Sequence, residues 1–396
     1  MAKAIKIKSY NSAGTFIGLI LDATFEGFKK VINGGVGDLT FRLARKIDDF
    51  NLLDDVSIGN KIEIWVTDKD TGIEGILVYS GFVEQQNPLV DGGVEYVDII
   101  CLGIISKLTQ DILKSGSQTT LYTKTTDGLT TTIGDLSAAE IADAVTAIID
   151  FFNTNNPLFP ISYESAGIST ILNTGNFINY QFEALYYLNA IEKCREVAPQ
   201  YWHWYIGADN IFNFKTISNS ADHTFSLSKD INRITASKSA DSVKNILLLF
   251  NGDATYKQYK DDTSIATYGR RAKQMTDSNI KDEDTMDNIG AAFINENKDT
   301  KVRIEIELID NNESNLGYDI ESIEPGDTCR IVGVTPDENI FNENMIIQEV
   351  NWRLGSAIIV VETEKLYGFD RLILDIEKKV DELDKNSGSV LPASYT

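Results

Sequence analysis

The sequence predicts a mainly β protein with an α+β insertion, and three observations lead there. Short segments near both ends alternate apolar and polar residues. A strand pattern met in the first hundred residues returns after residue 320, and two segments of helical period stand between the copies. Period two marks half-buried strands, and period 3.6 marks amphipathic helices.

KIEIWVTD (61–68) sets Ile62, Ile64 and Val66 on one face and Lys61, Glu63, Trp65 and Thr67 on the other. DKDTG (68–72) then reads as a turn, ILVYSGFVEQ (76–85) as a buried strand, and DGG (91–93) as a tight hairpin before VEYVDIICL. Upstream, NGGVGD (33–38) reads as a turn ahead of LTFRLAR. Strand, turn and strand at such short intervals favour a sandwich or barrel. The stretch KSGSQTTLYTKTTDGLTTT is polar and rich in Ser and Thr, as in a linker or exposed loop.

A helix is expected from Ser137, because Ser137 and Glu140 have capping-box spacing and Ile141, Val145, Ile148, Ile149 and Phe152 form one stripe. A second helix is expected over 182–198, burying Leu185, Leu188 and Ile191 and stopping at Pro199. QYWHWYIGADNIFNFK (200–215) follows as an aromatic hairpin. Trp202, Trp204 and Ile206 share one face, GADN makes the turn, and the Trp face is expected to pack on the preceding helix. Strands resume at NILLLFNG (245–252), and DEDTMDNIGAAFINEN forms a short helix before KVRIEIELID (301–310). DTCRIVGV, NMIIQEVNWR and AIIVVETEKL read as further strands.

The returning pattern pairs VSIGNKIEIWV…LVYSGFVEQQ with ESIEPGDTCRIVGV…NMIIQEVNWR. Val83 follows Gly59 by 24 positions, and Val350 follows Gly326 by the same 24. Two readings stay open: one β module used twice, or chance likeness between two hairpins.

Composition excludes several functions. The 396 residues hold 59 Asp and Glu against 36 Lys and Arg, a net charge of −23, which disfavours tight binding to phosphate backbones. No apolar run is long enough to cross a bilayer, and MAKAIKIKSY leads into no signal-peptide core. Cys101, Cys194 and Cys329 lie far apart and read as buried, reduced thiols. His203 and His223 are the only histidines, and no metal-ligand spacing or nucleophile elbow accompanies them. His203 is expected to be structural. NGGVGD lacks the phosphate-loop ending, and DKDTGIEG lacks the later acidic ligands of a calcium loop, so both are expected to be turns. No catalytic residue, cofactor site or metal site is assigned. Trp202, Trp204 and Tyr205 are the candidates for a glycan platform, against the simpler reading of a packed hairpin.

FDRLILDIEKKVDELDK ends the ordered pattern. Phe369, Ile373, Ile376, Val380 and Leu383 recur at spacings of four and three, a coiled-coil seam with β-branched residues that favour three strands. An amphipathic helix packed on its own domain stays open, since only two heptads are present.

In their order, GGVGDLTFRLAR, VSIGNKIEIWV with VYSGFVEQ, APQYWHWYIGADNIFNFK, VRIEIELID, YDIESIEPGDTCRI, MIIQEVNWR and the C-terminal helix resemble the hub proteins of bacteriophage tail tips and baseplates, and of related contractile injection systems. The resemblance implies two tube-like β-barrel domains (1–115 and 231–366) flanking an α/β domain with the aromatic hairpin (116–230), plus a C-terminal helix and tail (367–396). It implies a homotrimer in the virion, assembled in the host cytoplasm, that links tail tube to tip. Tail-tube, distal tail, tip or spike proteins and a tape measure protein would be neighbours, and DNA would pass through without specific binding. Some members carry a fused lysozyme or peptidase domain; none is expected here, and the expected role is structural, without enzymatic activity. The rival reading is a tail-associated protein that binds or cleaves host glycans; a second rival is a monomeric β-sandwich scaffold.

Overall fold

The computed structural model describes residues 3–21, 23–44, 55–68, 74–91, 93–113, 122–126, 129–133, 139–178, 180, 182, 185–199, 201–218, 220–227, 229–240, 242–251, 256–278, 280, 283–309, 319–332 and 345–363. The C-terminal seam, Phe369 to Leu383, lies outside the described residues, as does Ser137.

Seven strands open the chain: β1 (Lys3–Tyr10), β2 (Phe16–Ile20), β3 (Ala23–Val31), β4 (Gly34–Ala44), β5 (Lys61–Asp68), β6 (Glu74–Asp91) and β7 (Val94–Gly103). Helices α1 (Ile141–Asn155) and α2 (Tyr187–Val197) precede the hairpin β8 (Trp202–Ile206) and β9 (Phe212–Thr216). Then come β10 (His223–Ser226), β11 (Ile231–Ser239), β12 (Ile246–Asn251), β13 (Tyr256–Lys260), α3 (Asp262–Tyr268), β14 (Ala272–Asp277), α4 (Glu283–Asn297), β15 (Lys301–Ile309), β16 (Thr328–Val332), β17 (Met345–Arg353) and β18 (Ser356–Thr363).

Fifteen strands belong to one sheet. Its path runs β11-β15-β18-β17-β3-β4-β7-β6-β5-β1-β2, with β8, β9, β10 and β16 attached beside it. The mainly β class holds. Among the described residues the large sheet is not closed into a barrel: β17 hydrogen-bonds β3, so strands from both ends of the chain share one open sheet. Alternation explains the burial. Ile62, Ile64 and Val66 of β5 and Ile304, Ile306 and Leu308 of β15 all enter the same core.

A second core gathers α1, α2, α4, the aromatic hairpin and Leu247 and Leu249 of β12. There β12 pairs with β13 antiparallel and with β14 parallel, forming a separate three-stranded sheet.

Two local expectations change. Helix α1 starts at Ile141, and its N-cap is Glu140, whose carboxylate accepts from Ala142 N–H and also from Thr174 and Gly175. A capping carboxylate does what a Ser137 hydroxyl would have done, one turn later. Helix α2 begins at Tyr187, leaving Leu185 in a short bridge to Leu113. Its buried stripe is Tyr187, Ala190, Ile191, Cys194 and Val197, while Leu188 is half-buried. All three cysteines are free and buried.

The sequence likeness between the ends is a real repeat with a different register. Gly59 and Gly326 have nearly the same backbone, φ +89° and +87°. Gly59 N–H donates to the Val83 carbonyl and Val83 N–H to Asn60; Gly326 N–H donates to the Ile347 carbonyl and Ile347 N–H to Asp327. Val83 therefore corresponds to Ile347, three positions before the residue that equal spacing selects. A bulge follows in each copy, between Val83 and Gln85 and between Ile347 and Glu349. Strands β3, β4, β7, β6 and β5 thus recur in the same sheet order as β11, β15, β18, β17 and β16. The sixth strand differs: β1 runs antiparallel to β5, whereas β10 runs parallel to β16.

Candidate functional site at the junction of the two motifs

The two motifs meet where β17 pairs with β3. Glu349 stands opposite Val31, Val350 opposite Lys30, Asn351 opposite Lys29 and Trp352 opposite Phe28. Ile32 N–H donates to the Gln348 carbonyl, extending the ladder by one bond. On the inner face Phe28 stacks on Trp352 at 5.1 Å between ring centroids and leans on Tyr79 at 5.2 Å. Stacked aromatic pairs add about 0.5–1.5 kcal/mol beyond their burial. Trp352 and Tyr79 are fully buried, and burial pushes the Tyr79 hydroxyl well above its ordinary pKa.

Ion pairs cross the same seam. Lys29 reaches Glu349 at 2.7 Å on the outer face. Lys30, almost fully buried, donates to Glu324 Oε1 at 2.6 Å. Glu324 keeps 26% of its side-chain surface open. Protein surrounds the rest of it, and this burial raises its carboxyl pKa against the pull of Lys30. Further along, Lys3 pairs with Glu321, joining the first strand to the second motif. Burial first, then the neighbouring Asp319, push Glu321 up to about 7.

The aromatic hairpin wedges into this junction. Strand β8 adds parallel to β4, with Tyr205 opposite Gly34 and Ile206 opposite Gly35. Gly35 has φ +152°, and a Cβ there would stand 2.5 Å from the Ile206 carbonyl oxygen. NGGVGD was expected to be a turn, but the chain turns at Ile32 and Asn33, and its glycines let another backbone approach. Trp204 is fully buried and donates its indole N–H to Glu192 of α2 at 2.6 Å, so the Trp face packs on the helix as expected.

The opposite face is buried as well, against the second motif. His203 is 2% exposed, and its two ring nitrogens have no hydrogen-bond partner among the described residues. Burial, aided by the charge of Lys215, lowers its pKa to about 4. Gly326 makes the fit: a Cβ there would stand 2.1 Å from His203 Nε2. His223 bonds to Asp327 Oδ2 at 2.9 Å, and Lys215 lies 3.7 Å from the other oxygen.

A cavity of about 410 Å³ opens beside the wedge, lined by Leu77, Tyr205, Asp209, Asn213 and Glu324 among others. Among the described residues no group of three or more His, Cys, Asp or Glu is placed to hold a metal ion. Burial raises the pKa of the Cys101, Cys194 and Cys329 thiols, the opposite of what a nucleophile needs.

Of the glycan-platform candidates, Trp204 is fully buried, Tyr205 is 9% exposed beneath the Lys215 ammonium, and Trp202 is half-buried beside Phe214. The residues that shape the junction, Gly35, Gly326, Lys30 and Glu324, carried no motif. Only the repeated glycine before an Asn or Asp could have pointed to one of them.

Residues 219–356 match the family model described as prophage endopeptidase tail. No curated protein sequence matches the chain. Among solved structures, a tail protein from Neisseria meningitidis MC58 superposes with a TM-score of 0.56 at 11% identity, covering 91% of this chain and 96% of that one. The 43 kDa tail protein of prophage MuSo2 from Shewanella oneidensis superposes at 0.57, also at 11% identity, covering 91% and 98%. The chain is similar to phage tail proteins, and it shares the fold of these two over most of its length.

Proposed function

We propose that the protein is a structural hub of a phage tail tip or baseplate, in which three copies form a ring of six similar strand motifs. One observation carries this reading: each chain holds two copies of the same five-strand order, joined side by side through β17 and β3. Two similar motifs in each of three chains would present a nearly sixfold face to a sixfold tube and a threefold face to a tip. The seam Phe369, Ile373, Ile376, Val380 and Leu383 suits three strands in register. Within the ring the two motifs would act as tube-like domains, with the hairpin and helices as the domain beside them.

The site works by shape. Its aromatic residues and ion pairs bind the two motifs together, and its buried histidine and thiols are not set up for nucleophilic chemistry. The charge of −23 fits a bore through which DNA slides, since like charge keeps phosphates from adhering. Tail-tube, distal tail, tip and tape measure proteins are the proposed neighbours, in a virion assembled in the host cytoplasm.

The test is mass by light scattering for the full chain and for a chain lacking residues 367–396. The expected species is three times the 44.0 kDa chain, weakened by the truncation. A single-chain mass for the full protein at high concentration would count against the reading. Binding of the folded protein to bacterial surface glycans, lost on Trp202→Ala, would favour the rival reading instead.

A further inference from the structure

The cavity beside the wedge is bounded by all three parts of the chain. Leu77 comes from β6 of the first motif, Glu324 from the second, and Tyr205, Asp209, Ile211 and Asn213 from the aromatic hairpin. Its volume of about 410 Å³ falls within the range of small-ligand pockets. The structural role proposed above makes no use of it.

Its polar groups are acceptors short of donors. Lys30 donates to Glu324 Oε1, and Oε2 has no hydrogen-bond partner among the described residues. Asp209 Oδ1 accepts from Ile211 N–H at 3.0 Å, which leaves Oδ2. Tyr205 and Asn213 stand directly opposite each other in the hairpin, so their side chains share the face that turns towards the second motif. The Asn213 amide nitrogen donates to the Ile211 carbonyl at 3.1 Å, and its oxygen accepts nothing among the described residues. Tyr205 is only 9% exposed, yet its hydroxyl makes no hydrogen bond among the described residues. Leaving a buried hydroxyl unsatisfied is costly, and such a group calls for an explanation.

The charges are unbalanced in the same direction. Three carboxylates act on this space: Asp209, Glu324 and Asp327. Two ammonium groups oppose them, Lys30 on Glu324 and Lys215, which lies 3.7 Å from Asp327 and 5.3 Å from the Tyr205 ring centroid. With histidines counted neutral, one negative charge remains. Burial first, then the charges of Glu324, Asp327 and Asp209, raise the pKa of the Tyr205 hydroxyl. Asp327 and Asp209 likewise add to the burial that raises Glu324.

We infer that this cavity binds a guanidinium group, carried by an arginine side chain or a small alkylguanidine. The Asp209 and Glu324 carboxylates hold its charge, and Tyr205 Oη and Asn213 Oδ1 accept its remaining N–H groups. A guanidinium has five N–H donors in one plane and no acceptor, and it is weakly hydrated, so it enters a site with apolar walls such as Leu77 and Ile211 at low cost. An ammonium offers three donors and holds its water tightly. A metal ion is disfavoured, since no group of three or more His, Cys, Asp or Glu among the described residues is placed to ligate one. The cavity belongs to a single chain, so the inference stands whether or not three copies close a ring. It exists only while hairpin and both motifs are docked, so a bound guanidinium stabilises their junction by linkage.

Calorimetric titration of the full chain with N-acetylarginine methylamide tests this, with butylguanidinium and N-acetyllysine methylamide as comparisons. One saturable guanidinium per chain is expected, with the lysine compound weaker by about tenfold. Asp209→Asn keeps the oxygen that accepts from Ile211 N–H, and Tyr205→Phe removes a hydroxyl that bonds nothing, so both should fold as the parent does. Each should weaken binding about tenfold, the loss of one hydrogen bond to a charged group. Glu283→Gln, an equal change of charge at a side chain 80% open on α4, should leave binding unchanged. Tighter binding of the capped arginine assigns the source to a protein's arginine, and butylguanidinium as tight or tighter assigns it to a free small cation; either supports the site. No saturable binding overturns the inference. So does equal binding of the lysine compound, or binding left unchanged by Asp209→Asn or by Tyr205→Phe. Weakening by Glu283→Gln to the same degree also overturns it, by showing diffuse attraction to an acidic surface.

Discussion

Removing one partner of the Lys30–Glu324 pair gives a measurable account of how the two motifs are locked. At 2.6 Å and an effective dielectric of about 20, two unit charges attract by about 6 kcal/mol. Taking Lys30 out of water offsets most of that, so the intact pair adds little net stability. The asymmetry is informative. Glu324→Gln strands a buried ammonium, which costs about 3–5 kcal/mol; the cavity beside Glu324 admits water, so about 3 kcal/mol is expected. Lys30→Met leaves a carboxylate already 26% open, which the cavity can hydrate, and about 1 kcal/mol is expected. The double variant should fall near Lys30→Met, leaving a coupling of about 3 kcal/mol. Urea unfolding followed by tryptophan fluorescence measures all three, because Trp352 sits on the seam. Equal costs for the two single variants, or under 1 kcal/mol for Glu324→Gln, would refute the claim that Lys30 is held by this carboxylate.

Glu321, with its pKa raised to about 7, holds a proton in the folded state that the unfolded chain releases near 4.5. Its contribution is complete below pH 4.5 and declines as pH rises to 7; Glu321→Gln should remove about 1–3 kcal/mol of difference between urea unfolding at pH 5 and pH 8. His203 has the opposite sign: folded at about 4 against 6.5 unfolded, its contribution is complete above pH 6.5 and is lost as pH falls towards 4. His203→Leu should abolish about 2–3 kcal/mol of that acid loss, read by unfolding at pH 7 and pH 4.5. Gly326→Ala and Gly59→Ala separate packing from backbone strain, because the two share a φ near +88° but only Gly326 meets a neighbour. The Gly59 change should cost about 1–2 kcal/mol and the Gly326 change distinctly more, with the excess recovered by adding His203→Ala. Thermal unfolding compares them, and equal shifts would show that His203 does not press on Gly326.

Strands were legible where burial follows period two. KIEIWVTD is β5 to the residue, and the apolar face of KVRIEIELID is the face that enters the core. Helix starts were less so. Glu140 could be read as the acidic partner of Ser137 in a box or as the cap itself, and only its bonds to Ala142, Thr174 and Gly175 decide. The hairpin was legible on its Trp side alone. That His203 and Tyr205 are also buried depends on Glu324 to Asp327, more than a hundred positions away, and no local pattern carries such a contact. NILLLFNG read correctly as a strand, but its apolar run says nothing about which sheet it joins.

The register of the repeat shows where counting fails and why hydrogen bonds succeed. Between Gly59 and Val83, and between Gly326 and Ile347, each chain segment includes a connection between two strands. Connections vary in length at little cost, so distance along the sequence across them is not preserved when a motif is duplicated. A glycine in the left-handed region beside an Asn or Asp, two main-chain bonds to the facing strand, and a bulge one residue later are preserved, because each constrains the others geometrically. Equal spacing would shift the second motif by three residues. An odd shift exchanges the two faces of a strand, placing the counterparts of Gln86 and Pro88 on the wrong side of the sheet.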